Sequence, residues 1–370
     1  MTAQGRDTKT EAPPAPTGMS NRAHLLSWAL VIGIAAMVLL FVFSDASKLW
    51  EIASTLEWWR LAIPLLCAVL SYVLMALSYQ GIAHAAGAAV SFWEMLKITF
   101  VANTVNYLVS TGGISGFAVR LYFFIRLKIP SDTAVIVSLV QGVITNLILL
   151  LFVVVGFAYL LTAHTMQGYA LATTVVLLSF FVLVAAVVIL LLLHRQFRRR
   201  SLFIMAEAVH WFMHRFLPRH KPGRMHIWRF QRNLNRGIEF VLARKRHMVV
   251  PTLWIIADWM ITLLILWGGF FTVRYPIPMS FVVVGFAVGI ILSLVSFVPG
   301  GLGVMEGSMA AIFASLSVPF ETAVVAVLIF RVAYYVLPMI ISVFFFRGML
   351  VQGARVRPEE LENPGATPSN

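Results

Sequence analysis

Long apolar stretches separated by short polar connections dominate the chain. A helix needs about 20 predominantly apolar residues to cross the hydrocarbon core of a bilayer. Six stretches have suitable length, at Leu25–Phe43, Leu61–Ala83, Thr133–Leu161, Tyr169–Leu193, Met248–Val273 and Glu321–Phe346. The pattern predicts an all-α, polytopic membrane protein with about six full spans.

Two further apolar segments, Ile98–Ile125 and Ser280–Ser317, are interrupted by helix-breaking residues. The interruptions contain Gly112 and Gly113 in the first segment and Pro299, Gly300 and Gly301 in the second. Broken backbone at membrane depth is tolerated only where protein or a wet cavity surrounds it. The segments therefore predict two re-entrant or broken helical hairpins. Close helix packing is the alternative explanation of the glycines, but it does not explain the nearby Glu306.

The distribution of charge predicts the orientation in the membrane. The chain is 60% hydrophobic and carries a net charge of +13, and half of its 28 Lys and Arg residues lie in the loop 194–247. By the positive-inside rule this loop is cytoplasmic, and both termini follow it to the same side. We expect a cytoplasmic-membrane protein with a domain over residues 25–347 and disordered cytoplasmic tails at 1–24 and 348–370.

An internal repeat relates the two halves. The run Lys128–Leu139 (KIPSDTAVIVSL) parallels Ser317–Leu328 (SVPFETAVVAVL), and a glycine pair precedes each run at nearly the same offset. Counting passes through the membrane makes the two hairpins enter from opposite faces. Inverted repeats with paired broken helices are typical of secondary transporters, in which the binding site lies where the broken segments meet.

Four ionisable residues fall within the apolar segments: Arg120, Asp258, Glu306 and Arg331. Such residues are costly in lipid, so they indicate a binding site or mutual neutralisation. In the first interpretation Arg120 and Arg331 bind a lipid phosphate, which guanidinium groups match well, and Glu306 balances their charge or recognises a cationic headgroup. The meeting of the hairpins would also bring Glu306 close to Arg120. Asp258 is either part of this site or a hydrogen-bond partner of a neighbouring helix.

The basic loop contains a helical pattern over residues 224–246, with apolar and arginine residues on different faces. It predicts a helix lying on anionic phospholipid headgroups, or else a solvated loop that only sets topology. Nucleic-acid binding is not indicated, because no recognition motif accompanies the charge. His210 and His214 have ligand spacing without further ligands, so no metal or other cofactor is expected. The sequence does not indicate an oligomeric state.

The second break reads Pro-Gly-Gly-Leu-Gly-Val-Met-Glu over residues 299–306, and the last span carries Arg331 with Tyr334, Tyr335 and Pro338. In these residues the chain resembles the second-half motif and the last span of the lysylphosphatidylglycerol synthase transmembrane-region family, also called flippase-like. Gly116-Phe-Ala-Val-Arg120 is similar to the first-half motif Gly-Glu-x-x-Arg.

Two features of the family's first half are absent from this chain. Phe117 stands where the motif has glutamate, and Gln141-Gly142 stands where an acid and an arginine often follow. The resemblance covers roughly residues 25–347. It implies movement of an aminoacylated phospholipid between leaflets, without the soluble aminoacyl-transferring domain.

These observations predict translocation of a polar-headed phospholipid or lipid-linked precursor between leaflets of the cytoplasmic membrane. Two alternatives stay open at this stage: an integral membrane enzyme or subunit acting on a lipid-linked substrate, and a small-solute or ion transporter. No catalytic constellation is recognised. Membrane lipids are the expected partners, with anionic phospholipid at the basic loop.

Overall fold

The computed structural model describes residues 45–109, 114–163, 169–194, 224–296 and 298–354, together with residues 196, 197, 200, 201, 204 and 207. The predicted span Leu25–Phe43 and the N-terminal tail lie outside these ranges. Within the described part of the chain the structure is helical and contains no β-strand. The all-α fold class is confirmed.

The helices are numbered here in chain order. They are α1 Ala46–Ser54, α2 Ala62–Ala85, α3 Phe92–Val109, α4 Ile114–Arg126, α5 Ser131–Ala163, α6 Tyr169–Leu193, α7 Arg224–Ala243, α8 Lys245–Thr272, α9 Met279–Ser296, α10 Val304–Ser315, α11 Phe320–Arg331 and α12 Leu337–Ala354. Short 3₁₀ turns occupy Trp58–Leu61 and Pro299–Gly301, and a π-helical turn, Val332–Val336, joins α11 to α12.

Four helical segments are long and apolar enough to cross a membrane: Trp58–Ala85, Ser131–Tyr159, Lys245–Thr272 and Phe320–Arg347. They confirm four of the predicted spans. A fifth predicted span, Tyr169–Leu193, coincides with the apolar helix α6 over all 25 residues. The last helix runs on to Ala354, so the start of the predicted C-terminal tail is helical.

Helices α2 and α8 pack against each other in opposite directions through two matching contacts. A Cβ added at Gly81 would lie 2.7 Å from the ring of Pro251, and one added at Gly268 would lie 3.3 Å from the ring of Pro64. Each proline lies near the start of its helix and each glycine near the end. At each end of the pair, the missing side chain of the glycine leaves room for the proline ring of the other helix.

The two interrupted segments each form a pair of antiparallel helices. The first pair, α3 and α4, has 18 and 13 residues, and the second pair, α9 and α10, has 18 and 12. Glycines allow the close packing within each pair. A Cβ at Gly116 would lie 2.9 Å from the Ala102 carbonyl oxygen, and one at Gly285 would lie 2.4 Å from the Phe313 ring.

The turns that flank the two hairpins are also alike. Gly87 and Arg274 precede the hairpins with φ of 84° and 58°, and Lys128 and Ser317 follow them with φ of 59° and 66°. After each of the four, the next amide donates to the carbonyl five residues before it, at 2.9–3.0 Å. This is the left-handed helix-ending turn described for α-helices. The internal repeat read from residues 128–139 and 317–328 therefore coincides with repeated backbone geometry.

Helix α7, in the basic loop, packs on the protein through part of its surface. Ile238 is buried, and a Cβ at Gly237 would contact Val140 of α5. Arg232 and Arg236 are exposed. The helix predicted for this loop is present, and the C-terminal half of its apolar face covers α5 instead of facing outward.

Candidate functional site

The second hairpin is broken between α9 and α10 by glycines whose backbone conformation other residues rarely adopt. Gly300, Gly301 and Gly303 have φ of 60°, 63° and 77°. Left-handed backbone is costly for residues with a Cβ, which explains the glycines at this turn. The broken helix predicted around Pro299 is therefore present.

Glu306 and Arg331 form a buried ion pair beside this break. Glu306 is the third residue of α10, where the positive end of the helix dipole favours a carboxylate. Arg331 Nη2 donates to Oε2 of Glu306 at 3.0 Å, and Nε lies 2.7 Å from Oε1 without hydrogen-bond alignment. Glu306 is 1% exposed and Arg331 7%. Each charge is thus neutralised inside the protein.

Arg331 also holds the backbone of the broken turn. Its Nη1 donates to the Gly300 carbonyl at 2.6 Å and its Nη2 to the Gly301 carbonyl at 2.9 Å. These carbonyls lie outside regular helix and need a donor. The guanidinium also lies 4.4 Å from the centre of the Tyr335 ring, a cation–π distance. Arg331 therefore fixes the tip of the second hairpin.

The expected approach of Glu306 to Arg120 is wrong, since Arg331 is the partner of Glu306. Arg120 Nη2 instead donates to Oδ1 of Asn103 at 2.9 Å, and its guanidinium lies 4.5 Å from the Tyr79 ring. Its buried Nε has no acceptor. Arg120 lies on α4, which packs on α3, whereas Arg331 lies one helix beyond α10 and faces it directly.

Asp258 lies between α8 and α2. Its Oδ1 accepts a hydrogen bond of 2.5 Å from the hydroxyl of Ser71, and it is 6% exposed. This geometry matches the interpretation that Asp258 bonds a neighbouring helix. It also lies within electrostatic range of the tyrosines Tyr72 and Tyr79.

Aromatic rings connect the two hairpins. Tyr107, near the end of α3, lies 4.7 Å from Tyr335 and 6.2 Å from Tyr334, between ring centres. A Cβ at Gly300 would lie 3.5 Å from the Tyr107 carbonyl oxygen, so the two hairpins meet at this point. Tyr334 and Tyr335 belong to the π-helical turn that follows Arg331. Such turns occur often at functional sites.

The sequence pattern did not predict four residues of this region, namely Ser71, Tyr79, Asn103 and Tyr107. Each is a polar residue inside an apolar stretch, and this is the only sequence feature that indicates them. Gly112 and Gly113, named as candidates, lie outside the described residues, as do His210 and His214. Among the described residues no group of three or more His, Cys, Asp or Glu side chains could hold a metal.

Comparisons with known proteins agree with this architecture. The chain matches the family model described as lysylphosphatidylglycerol synthase TM region over residues 27–342. It is also 25% identical over 151 residues to a UPF0104 membrane protein of Methanothermobacter thermautotrophicus. That alignment covers 39% of this chain and 42% of the relative, so the chain spans less than half of the relative's length. The family match covers most of the chain: the protein belongs to the lysylphosphatidylglycerol synthase transmembrane-region family.

Proposed function

We propose that the protein moves a polar-headed phospholipid, or a lipid-linked precursor, between the leaflets of the cytoplasmic membrane. The observation that carries the proposal is the meeting of the two broken hairpins beside the buried Arg331–Glu306 pair. Paired broken helices with charged groups in the membrane interior characterise transporter sites. Membership of a membrane-protein family named for a lipid synthase supports a lipid as the cargo.

We further propose that the two halves form an inverted repeat. Each proline precedes the glycine of its own helix by the same number of residues, so Pro64 corresponds to Pro251 and Gly81 to Gly268. Each glycine contacts the proline of the other helix, so the two contacts are equivalent. Helices α2 and α8 then correspond and run in opposite directions. The hairpins that follow them would be re-entrant from opposite membrane faces, as in transporters that are built from inverted repeats.

The two arginines have different roles in this proposal. Arg331 is already paired, because its Nη1 and Nη2 donate to Gly300, Gly301 and Glu306. Its Nε is not aligned for a hydrogen bond but lies 2.7 Å from the Glu306 carboxylate, so the role of Arg331 is to position the hairpin tip. Arg120 keeps a buried Nε without an acceptor. A phosphate oxygen is a strong acceptor for such a group. Arg120 is therefore the proposed contact for the phosphate of the headgroup.

An enzymatic role for Glu306 has less support. Both of its carboxylate oxygens face Arg331, so neither is available to a substrate without breaking the pair. A small solute would need a route closed to the bilayer, whereas a lipid needs an opening between helices.

The test is a leaflet-transfer assay with the purified full chain in proteoliposomes. Fluorescent phosphatidylglycerol, phosphatidylethanolamine and phosphatidylcholine would be supplied, and access to a membrane-impermeant quencher followed over time. We expect the quenched fraction of at least one lipid to exceed the fraction that starts in the outer leaflet. In Arg120→Gln this additional quenching should disappear. Arg126→Gln, which changes an exposed arginine at the end of α4, is the matched control. Unchanged transfer in Arg120→Gln would contradict the proposed site, and a new lipid product by mass spectrometry would indicate an enzyme.

A further inference from the structure

A cleft of about 850 Å³ opens where the start of α2 meets the end of α8. This is the end of the molecule opposite the α7–α8 turn. Its lining residues are Glu57, Arg60, Trp267, Phe271, Arg274, Tyr275, Pro276, Ile277 and Pro278. We call it the Arg60 cleft. It is separate from the broken hairpins, and nothing in the proposed translocation uses it.

The charged groups of the Arg60 cleft are two arginines around one carboxylate. Arg60 Nε lies 2.5 Å from Oε2 of Glu57, and Arg274 Nη2 contacts the other oxygen, Oε1. The three side chains together carry one net positive charge. Arg274 is 57% exposed at the side chain, whereas Arg60 is 22% exposed. The cleft therefore offers guanidinium N–H groups to an anion that arrives from outside.

The backbone places Arg274 at this position at some cost. Its φ of 58° lies in the left-handed region, which costs a residue with a Cβ roughly 1–2 kcal/mol. At the equivalent turn of the first half the residue is Gly87. Strained backbone that persists in a folded protein clusters at functional sites. Here the strained residue carries the most exposed charge of the cleft.

Aromatic rings form the other wall. The Arg60 guanidinium lies 5.3 Å from the Trp59 ring and 4.7 Å from the Phe271 ring, and its Nη1 donates to the Phe271 carbonyl at 3.2 Å. Trp267 stacks on Phe271 at 5.5 Å. Trp58 and Trp59 are largely exposed nearby, as is usual for residues at the level of lipid headgroups.

We propose that the Arg60 cleft binds the phosphate group of an anionic phospholipid in the leaflet at this end of the protein. The net positive charge favours a headgroup with net negative charge, since a zwitterionic headgroup would bring an ammonium group to a site whose only carboxylate is already paired. The apolar wall of Trp267 and Phe271 suits the start of the acyl chains. A free phosphate would use the arginines but not this wall.

The test measures lipid binding to the purified full chain in detergent by native mass spectrometry. Phosphatidylglycerol should bind more strongly than phosphatidylcholine. Arg274→Gln removes one charged donor and should weaken phosphatidylglycerol binding about tenfold, as expected for a charged hydrogen bond. Glu57→Gln frees both arginines and should strengthen it. A general loss of folding would not produce these opposite changes.

Arg126→Gln, at the other end of the molecule, is the control and should leave binding unchanged. Equal phosphatidylglycerol binding by Arg274→Gln and the original chain would overturn the proposal. Displacement of the lipid by millimolar glycerol 3-phosphate or inorganic phosphate would show a free-anion site and overturn the assignment to lipid. Because binding is measured without transfer between leaflets, failure here and failure of the proposed translocation are distinguishable.

Discussion

Arg331 lies across the break between α9 and α10 and binds Glu306 on the far side of it. The same guanidinium donates to the carbonyls of Gly300 and Gly301. One side chain therefore neutralises a buried acid and satisfies backbone acceptors that the broken helix leaves open. The conformation of the second hairpin depends on this contact.

Loss of the acid should destabilise the protein. Glu306→Gln is nearly isosteric but leaves Arg331 buried without a counter-charge, which typically lowers the free energy of unfolding by about 3–5 kcal/mol. Thermal unfolding in detergent should show a clearly lower melting temperature. The control is Asp132→Asn, an exposed acid in the first turn of α5, for which we expect a change within about 0.5 kcal/mol. An unchanged melting temperature in Glu306→Gln would contradict a structural role for the pair.

A double-mutant cycle should distinguish Arg331, the partner of Glu306 in the structure, from Arg120, the partner expected from the meeting of the two hairpins. Arg120 contacts Asn103 and Tyr79, so the effects of Arg120→Gln and Glu306→Gln on stability should add within about 0.5 kcal/mol. Arg331→Gln combined with Glu306→Gln should deviate from additivity by about 1–3 kcal/mol. Coupling between Glu306 and Arg120 instead would mean that the pairing differs from the structure.

Hydropathy and glycine positions were sufficient to predict the described spans, both hairpins and the break at Pro299. They were not sufficient to predict which charges meet. The count of passes through the membrane predicts the face from which each hairpin enters, but not the direction in which the side chains of Glu306 and Arg120 point. That direction depends on the packing of α10 against α11, which brings Arg331 to Glu306 from the following helix.

Alignment of the two halves shows where their sequences differ at the ion pair. Aligned on the turns at Lys128 and Ser317, Phe117 takes the place of Glu306 and Gly142 takes the place of Arg331. Both members of the ion pair are thus absent from the first half together. This is physically consistent, because either charge alone would be buried without a partner. Among the described residues, a Cβ at Gly142 would meet no atom within 4 Å.

Alanine substitutions at the break should differ in severity although the backbone conformations are alike. Gly300 and Gly301 both have φ near 60°, so each alanine carries a similar backbone cost of roughly 1–2 kcal/mol. At Gly301 the new Cβ would also lie 2.0 Å from the Ser293 hydroxyl oxygen, whereas at Gly300 the nearest atom is 3.5 Å away. Gly301→Ala should therefore lower the melting temperature more than Gly300→Ala. Adding Ser293→Gly should recover part of the Gly301→Ala loss, and equal losses at the two glycines would contradict the packing described.

Cysteine labelling should locate the ends of both hairpins. In a Cys67→Ala background, single cysteines at Ser91 and Asp132 would flank the first hairpin, and single cysteines at Met279 and Ser317 would flank the second; all four positions are exposed. If each hairpin enters and leaves the membrane on one face, a membrane-impermeant maleimide should label Ser91→Cys and Asp132→Cys from the same side of sealed vesicles. Met279→Cys and Ser317→Cys should both react from the other side, because an odd number of crossings, by α5, α6 and α8, would separate the two hairpins. Permeabilised vesicles, in which all four should react, provide the control for accessibility. Labelling of Ser91→Cys and Asp132→Cys from opposite sides would mean that the first hairpin crosses the membrane, and the inverted relationship of the two halves would then be wrong.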